Sequence, residues 1–180
     1  MPVGEWDPPW PPDDDRPLVV VSLGTTYMEQ EAIIGRVVEA VDGLPVRGLV
    51  LTGSDLAPEE VRSAANVEVR DYVPHSAALR DASLVVTHAG TGTLHAAFSA
   101  RIPVLCIPLG RDQPANARRV AQLGLGRVLT WDAPAAEIRA AIAETLASTD
   151  YREQAARMAS IIEGYESGAP AMRMLESLAA

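Results

Sequence analysis

The chain has 180 residues, enough for one domain whose core folds without disulfide support. Its net charge is −9, which disfavours a nucleic-acid partner because such a surface needs clustered cations. Its one cysteine, Cys106, allows neither an internal disulfide nor a cysteine-based zinc site, and no apolar run approaches the roughly 20 residues that span a bilayer.

Residues 1–17 are predicted to be an extended connector. Six of the 14 prolines fall in this segment, and proline removes amide donors and stiffens the backbone. No basic region precedes an apolar one, so a signal peptide is not expected and the chain is predicted to be cytoplasmic, without a membrane partner. Trp6 and Trp10 are unusual in a free tail, because exposed indoles are usually docked on something. The predicted division is a linker over residues 1–17 and a folded domain over residues 18–180.

From Leu18 onward, short apolar runs alternate with segments of helical spacing. Unbroken runs indicate strands buried on both faces, and apolar residues three and four positions apart indicate helices. Strands are predicted at residues 18–23, 46–52, 67–69, 84–87, 104–107 and 126–129. Helices are predicted at residues 29–41, 58–65, 76–81, 91–100, 112–123, 134–148 and 150–164, and from about 170. This alternation predicts an α/β fold: a doubly wound, Rossmann-like sheet of six parallel strands with helices on both faces.

Ligands of such sheets bind at the carboxyl ends of the strands, where helix N-termini point. The richest strand-to-helix turn spans residues 87–95. Gly90 and Gly92 let backbone amides approach an anion, Thr93 adds a hydroxyl, and the helix N-terminus adds partial positive charge. His88 could donate to the same anion from the strand end. The turn is a candidate pyrophosphate site, although its glycines would equally serve a tight turn without a ligand.

Several other site types are disfavoured. A G-x-G followed about 20 residues later by an acid resembles the dinucleotide fingerprint, but His95 stands where the third glycine belongs and Asp112 opens a helix. An NAD-type dehydrogenase is therefore disfavoured. The chain has no lysine for a phosphate-binding loop and no G-x-S-x-G elbow. His75, His88 and His95 lack metal-ligand spacing, so no metal site is predicted.

Three further turns offer polar groups. Asp112 and Gln113 suit two neighbouring sugar hydroxyls, although Asp112 is equally suited to be an N-cap. Gly24-Thr25 follows the first strand and either faces the same crevice or forms a simple turn. Tyr72 could lie against a base or simply pack, and His75 is more typical of a helix cap than of a catalyst.

Together these segments resemble the C-terminal, nucleotide-sugar-binding half of family 1 glycosyltransferases of the GT-B fold. Their order and gaps fit across about residues 70–130, and the turn at 18–26 also fits. The matching residues are Tyr72-Val73-Pro74-His75, Val85-Val86-Thr87-His88-Ala89-Gly90-Thr91-Gly92-Thr93, Ile102-Pro103-Val104, Pro108, Asp112-Gln113, Asn116-Ala117-Arg118-Arg119-Val120 and Leu123-Gly124-Leu125-Gly126.

The resemblance implies a role for each site residue. His88 would be the catalytic group, stabilising the leaving diphosphate together with backbone amides of the glycine-containing turn. The base would meet Tyr72 and the Val73 backbone, and Asp112 with Gln113 would hold sugar hydroxyls. No metal or other cofactor is implied, because the helix terminus and His88 supply the positive field. The implied donor-binding residues are Gly24, Thr25, Tyr72, Val73, His88, Ala89, Gly90, Gly92, Thr93, Asp112 and Gln113.

Three departures from the family pattern narrow the resemblance. Many members have Trp at the position of Tyr72, Gln at that of His75 and Glu at that of Ala96. The chain looks closer to bacterial natural-product enzymes of antibiotic or macrolide type, which commonly use dTDP-deoxysugars. The implied function is inverting transfer from a dTDP- or UDP-sugar to a small lipophilic acceptor. The acceptor-binding N-terminal half is missing from the sequence, so the chain alone is expected to bind donor but turn over poorly.

Two alternatives stay open at this point. A sugar-nucleotide epimerase of the same architecture would need acid and base carboxylates around the sugar, where the sequence offers only Asp112. A non-catalytic nucleotide-binding module could use Trp6, Trp10 and the last helix to dock on a partner chain.

Overall fold

A computed structural model of the chain describes residues 6–24, 31–54, 56–62, 64–165 and 176–178. Strands and helices alternate along these ranges. The strands are β1 (Leu18–Ser22), β2 (Arg47–Leu51), β3 (Val67–Arg70), β4 (Ala82–Thr87), β5 (Val104–Cys106) and β6 (Gly126–Val128). The α-helices are α1 (Glu31–Asp42), α2 (His75–Ala78), α3 (Thr91–Ser99), α4 (Gln113–Gln122), α5 (Ala135–Ala147) and α6 (Thr149–Glu163). A short 3-10 helix, Pro58–Glu60, lies between β2 and β3.

The strands form one sheet in the order β3-β2-β1-β4-β5-β6, and every neighbouring pair is parallel. The predicted doubly wound sheet of six parallel strands is therefore confirmed. The strand order reverses between β1 and β4. Because the connections after these two strands leave toward opposite faces, a crevice opens between them at their carboxyl ends.

The apolar core lies on both faces of the sheet, which explains the unbroken apolar runs. In β1, Val19 and Val21 pack on one face, while Leu18 and Val20 pack on the other. Helices α1 and α5 cover the first face, and α2, α3 and α4 cover the second. Each central strand therefore needs apolar residues on both of its faces. Packing on both faces fixes the position of the strand ends from which the loops start.

One predicted helix is corrected by the structure. The helix expected over residues 58–65 is limited to the 3-10 turn Pro58–Glu60, because Val61 takes an extended backbone conformation and is buried in the core. The helix predicted from about residue 170 falls almost entirely outside the described residues. Within the described ranges, no helix has the combined length and hydrophobicity needed to cross a membrane.

The N-terminal arm, residues 6–17, contains neither helix nor strand, yet it is anchored to the domain. The Trp6 and Trp10 rings meet edge to face with centroids 6.2 Å apart and pack against the core cluster under α3 and α4. The Arg47 guanidinium lies 5.9 Å from the centre of the Trp10 ring, and its Nε donates to the Arg16 carbonyl over 2.8 Å. Both indoles therefore dock on this domain, whereas the assignment of residues 1–17 as a linker stays a prediction.

Candidate functional site

A cavity of about 480 Å³ lies at the carboxyl end of the sheet, where the strand order reverses. The ends of β1 and β4, the segment after β3 and the turn before α4 form its walls. Of the predicted donor-binding residues, Ala89 is fully buried beside the cavity and Thr25 lies outside the described residues. The others all line the cavity: Gly24, Tyr72, Val73, His88, Gly90, Gly92, Thr93, Asp112 and Gln113.

The turn between β4 and α3 presents a helix N-terminus to this cavity. Ala89 has a positive φ of 68°, and its amide donates to Thr87 Oγ1 over 3.2 Å. This turn redirects the chain so that α3 begins at Thr91, directly after Gly90. The amides of the first helical turn have no acceptor within the helix, and Gly90 has no side chain with which to cap them. Thr91, Gly92 and Thr93 line the cavity, so this wall offers amide donors and partial positive charge to an anion.

The His88 ring sits between two glycines on the same wall. A Cβ at Gly24 would lie 3.1 Å from Nε2, and a Cβ at Gly90 would lie 2.7 Å from Cε1 and even closer to Nε2. Gly24 also has a φ of 100°, which disfavours any other residue. Both glycines therefore make room for the imidazole, and they place its Nε2 edge at the cavity.

Burial governs the protonation of His88. Desolvation lowers the pKa of His88, while the Ser22 backbone and the Asp112 carboxylate oppose this shift less strongly. The ring is therefore neutral at pH 7. Its Nδ1 is buried and has no partner of hydrogen-bond geometry among the described residues. A neutral imidazole has a single N–H, so only one of its ring nitrogens can donate to a bound anion.

The opposite end of the cavity is formed by the segment after β3. The Tyr72 ring is 68% exposed and lines the cavity, while its amide donates to Asp71 Oδ1 over 2.7 Å. The Val73 side chain is buried, which leaves its backbone for any ligand contact. His75 Nε2 lies 3.4 Å from Ser22 Oγ, and burial lowers the pKa of His75. This end combines an open aromatic face with backbone groups, an arrangement suited to a nucleobase.

Asp112 and Gln113 differ in how far they are available to a ligand. Gln113 is buried, and its Oε1 accepts from the Leu109 and Gly110 amides over 2.8 and 3.0 Å. That oxygen holds the turn before α4, so a sugar hydroxyl would have to compete for it. Asp112 is exposed, and its Oδ2 accepts from Asn116 Nδ2 over 2.9 Å instead of capping α4. Asp112 is therefore the more accessible sugar-binding candidate.

Eight of the described residues that line the cavity were not among the predicted site residues: Ser22, Leu23, Leu51, Gly53, Asp71, His75, Thr91 and Arg111. Arg111 has a positive φ of 57° and is the only Arg or Lys among the described residues that line the cavity. Nothing in its local sequence distinguishes it from other surface arginines. Across the described ranges, no three His, Cys, Asp or Glu side chains come together as a metal-binding group.

Comparison with known protein families and relatives identifies the family of the chain. The model described as "Erythromycin biosynthesis protein CIII-like, C-terminal domain" matches residues 38–163. The chain is 37% identical over 140 residues to demethyllactenocin mycarosyltransferase of Streptomyces fradiae, covering 77% of this chain and 30% of that protein. It is 37% identical over 147 residues to oleandomycin glycosyltransferase of Streptomyces antibioticus, covering 80% of this chain and 34% of that protein.

Solved structures give the same result. The calicheamicin glycosyltransferase CalG4 superposes with a TM-score of 0.82 at 33% identity, covering 97% of this chain and 43% of that one. The glycotransferase of kitacinnamycin superposes with a TM-score of 0.86 at 26% identity, covering 97% of this chain and 45% of that one. The chain thus spans about a third of the length of these curated relatives. It belongs to the family of erythromycin biosynthesis protein CIII-like C-terminal domains, which confirms the resemblance to the C-terminal half of natural-product glycosyltransferases.

Proposed function

We propose that this chain is the donor-binding half of an inverting glycosyltransferase, which transfers a sugar from a dTDP- or UDP-sugar to a small lipophilic natural-product acceptor. One observation carries the proposal: the N-terminus of α3 and the Nε2 edge of His88 share one wall of a cavity at the strand-order reversal. This wall matches the chemistry of a diphosphate, which needs several fixed donors.

We assign the rest of the cavity to the remaining parts of a nucleotide sugar. In this proposal the base lies against Tyr72 and the Val73 backbone, the diphosphate lies at the start of α3, and the sugar reaches Asp112. The acceptor oxygen attacks the anomeric carbon from the face opposite the diphosphate, and the bond from that carbon to the phosphate oxygen breaks. The configuration inverts, the departing diphosphate gains negative charge, and His88 with the α3 amides stabilises that charge.

The acceptor proton must go to a base, which we place in an acceptor-binding half joined to this domain. The names of the relatives, a demethyllactenocin mycarosyltransferase and an oleandomycin glycosyltransferase, support a natural-product acceptor and favour transfer over epimerisation. The proposal includes no metal and no other cofactor, because α3 and His88 can meet the diphosphate charge. It also includes a cytoplasmic location.

Titration calorimetry of the chain with dTDP, UDP and NAD tests the nucleotide site. We expect dTDP or UDP to bind, and we expect His88→Ala to weaken that binding by about 10- to 150-fold, the scale of a hydrogen bond to a charged group. His95→Ala is the matched control, because His95 lies exposed on α3, the helix that follows the His88 turn, and does not line this cavity. The proposal would be contradicted if only NAD bound, or if His88→Ala left the affinity for dTDP and UDP unchanged.

A turnover assay tests whether catalysis needs a separate acceptor-binding half. The chain alone, given a dTDP-sugar and a macrolide aglycone, is expected to release dTDP only slowly and to form no glycoside. Turnover at the rate of a two-half enzyme would show that the base lies within this chain.

A further inference from the structure

Asn116 does not line the cavity, but it contacts residues on two sides of it, the turn after β4 and the start of α4. Its Nδ2 donates to the Ala89 carbonyl over 3.0 Å and to Asp112 Oδ2 over 2.9 Å. Both amide hydrogens are therefore used, one on the turn after β4 and one on the carboxylate at the start of α4. A single side chain thus connects the proposed diphosphate wall to the proposed sugar contact.

Ala89 is the part of the turn that most needs such support. Its φ of 68° is a conformation that residues with a Cβ rarely adopt, and its side chain is fully buried. Side chains satisfy both of its backbone polar groups: Thr87 Oγ1 accepts from the amide, and Asn116 donates to the carbonyl. The direction in which Gly90 and the first turn of α3 leave the sheet depends on this residue. Loss of the bond from Asn116 would allow Ala89 to relax away from its left-handed conformation.

We propose that Asn116 is a positioning residue of the donor site. It holds Ala89 so that the amides at the start of α3 point into the cavity, and it orients the Asp112 carboxylate toward the sugar. The inference rests on the proposed function, because it assigns these groups to the diphosphate and the sugar. It predicts that a residue outside the cavity controls the affinity for the nucleoside diphosphate itself.

Calorimetry with dTDP and dTDP-glucose tests this inference. We expect Asn116→Ala to lower the affinity for both ligands by about tenfold, the upper range for one hydrogen bond. Asp112→Ala removes the other partner of Asn116 and should weaken dTDP-glucose while leaving dTDP nearly unchanged. Gln122→Ala is the matched control, because it also removes an amide side chain from α4. The Gln122 side chain lies at the surface, where its Oε1 accepts a hydrogen bond from Arg119.

A rescue variant separates positioning from simple loss of stability. Adding Ala89→Gly to Asn116→Ala should restore much of the dTDP affinity, because glycine adopts a positive φ without restraint. The same change relieves the backbone strain of Ala89 but also removes a buried methyl group, so the thermal midpoint of each variant is measured beside its dTDP affinity. A double variant that binds dTDP no better than Asn116→Ala would contradict the positioning role.

The outcomes separate this inference from the proposed function. A wild-type chain that binds neither dTDP nor UDP overturns the proposed function, and the inference with it. A wild-type chain that binds dTDP, with Asn116→Ala binding equally well, overturns the inference alone.

Discussion

Replacing Gly90 with alanine should weaken nucleotide binding by displacing His88. The new Cβ would overlap Nε2 and lie 2.7 Å from Cε1 of the imidazole. Gly90 has a φ of −67°, so the backbone accepts alanine and the ring must move instead. Since carbon atoms pack at about 3.5–4.0 Å, the ring has to shift by roughly 1 Å.

Two magnitudes follow from this shift. An imidazole forced off its rotamer costs about 0.5–1.5 kcal/mol of the free energy of unfolding. A hydrogen bond from His88 to a charged diphosphate contributes about 1.5–3 kcal/mol, so its loss should raise the Kd for dTDP by about 10- to 150-fold. Gly90→Ala should therefore weaken binding more than it lowers the free energy of unfolding.

Calorimetry and thermal unfolding of four variants measure both quantities. Gly35→Ala is the control for the glycine change, because its added Cβ would meet no described atom within 4 Å beyond the adjoining backbone of its own helix, and alanine is more favourable than glycine in a helix interior by about 1 kcal/mol. In the His88→Ala background, Gly90→Ala should have no further effect on the Kd, because the displaced ring is already gone. An equal loss in both backgrounds would mean that the methyl group meets the ligand directly, and the argument from His88 would fail.

Two further predictions concern the aromatic end of the cavity and the histidines. Tyr72→Ala should raise the Kd for dTDP by about 5- to 150-fold, the scale of base–aromatic stacking. The thermal midpoint should not change, because the Tyr72 side chain is largely exposed. An unchanged Kd would mean that the base binds elsewhere. Burial lowers the pKa of His75 and of His88 below 6.5, the ordinary value for histidine, so the folded chain binds fewer protons than the unfolded chain. The stability they support is complete above about pH 6.5 and decreases as the pH falls below it. Denaturant unfolding across this range should show that decrease, and His88→Gln should reduce its slope; an unaltered slope would contradict the burial argument.

Much of the fold was accessible from sequence because each central strand must be apolar on both faces. That requirement produces the continuous run at residues 18–23, and the alternation with helices then predicts parallel strands and a site at their carboxyl ends. The helix predicted at residues 58–65 failed because its local pattern carries no sign that Val61 is pulled into the core in an extended conformation. Local propensity is overridden there by tertiary packing.

The side-chain contacts of the site were harder to predict than its location. Asn116 and Ala89 are 27 residues apart, and their hydrogen bond depends on how α4 lies beside the turn after β4. The spacing of Asp112 and Asn116, four residues apart at the start of one helix, was the available clue, because such residues share a helix face. The bonds that occupy Gln113 Oε1 come from amides whose direction is set by the turn at Leu109 and Gly110.

The anchored N-terminal arm belongs mechanically to the folded domain that follows it. Its indoles pack on the domain, and Arg16 is bonded to both Asp14 and Arg47, so residues 6–17 travel with the sheet as one body. If an acceptor-binding half is attached ahead of this arm, residues 6–17 would not act as the hinge between the two halves. An insertion between Trp10 and Arg16 would then disturb the packing of the indoles without increasing the distance over which the two halves can move apart.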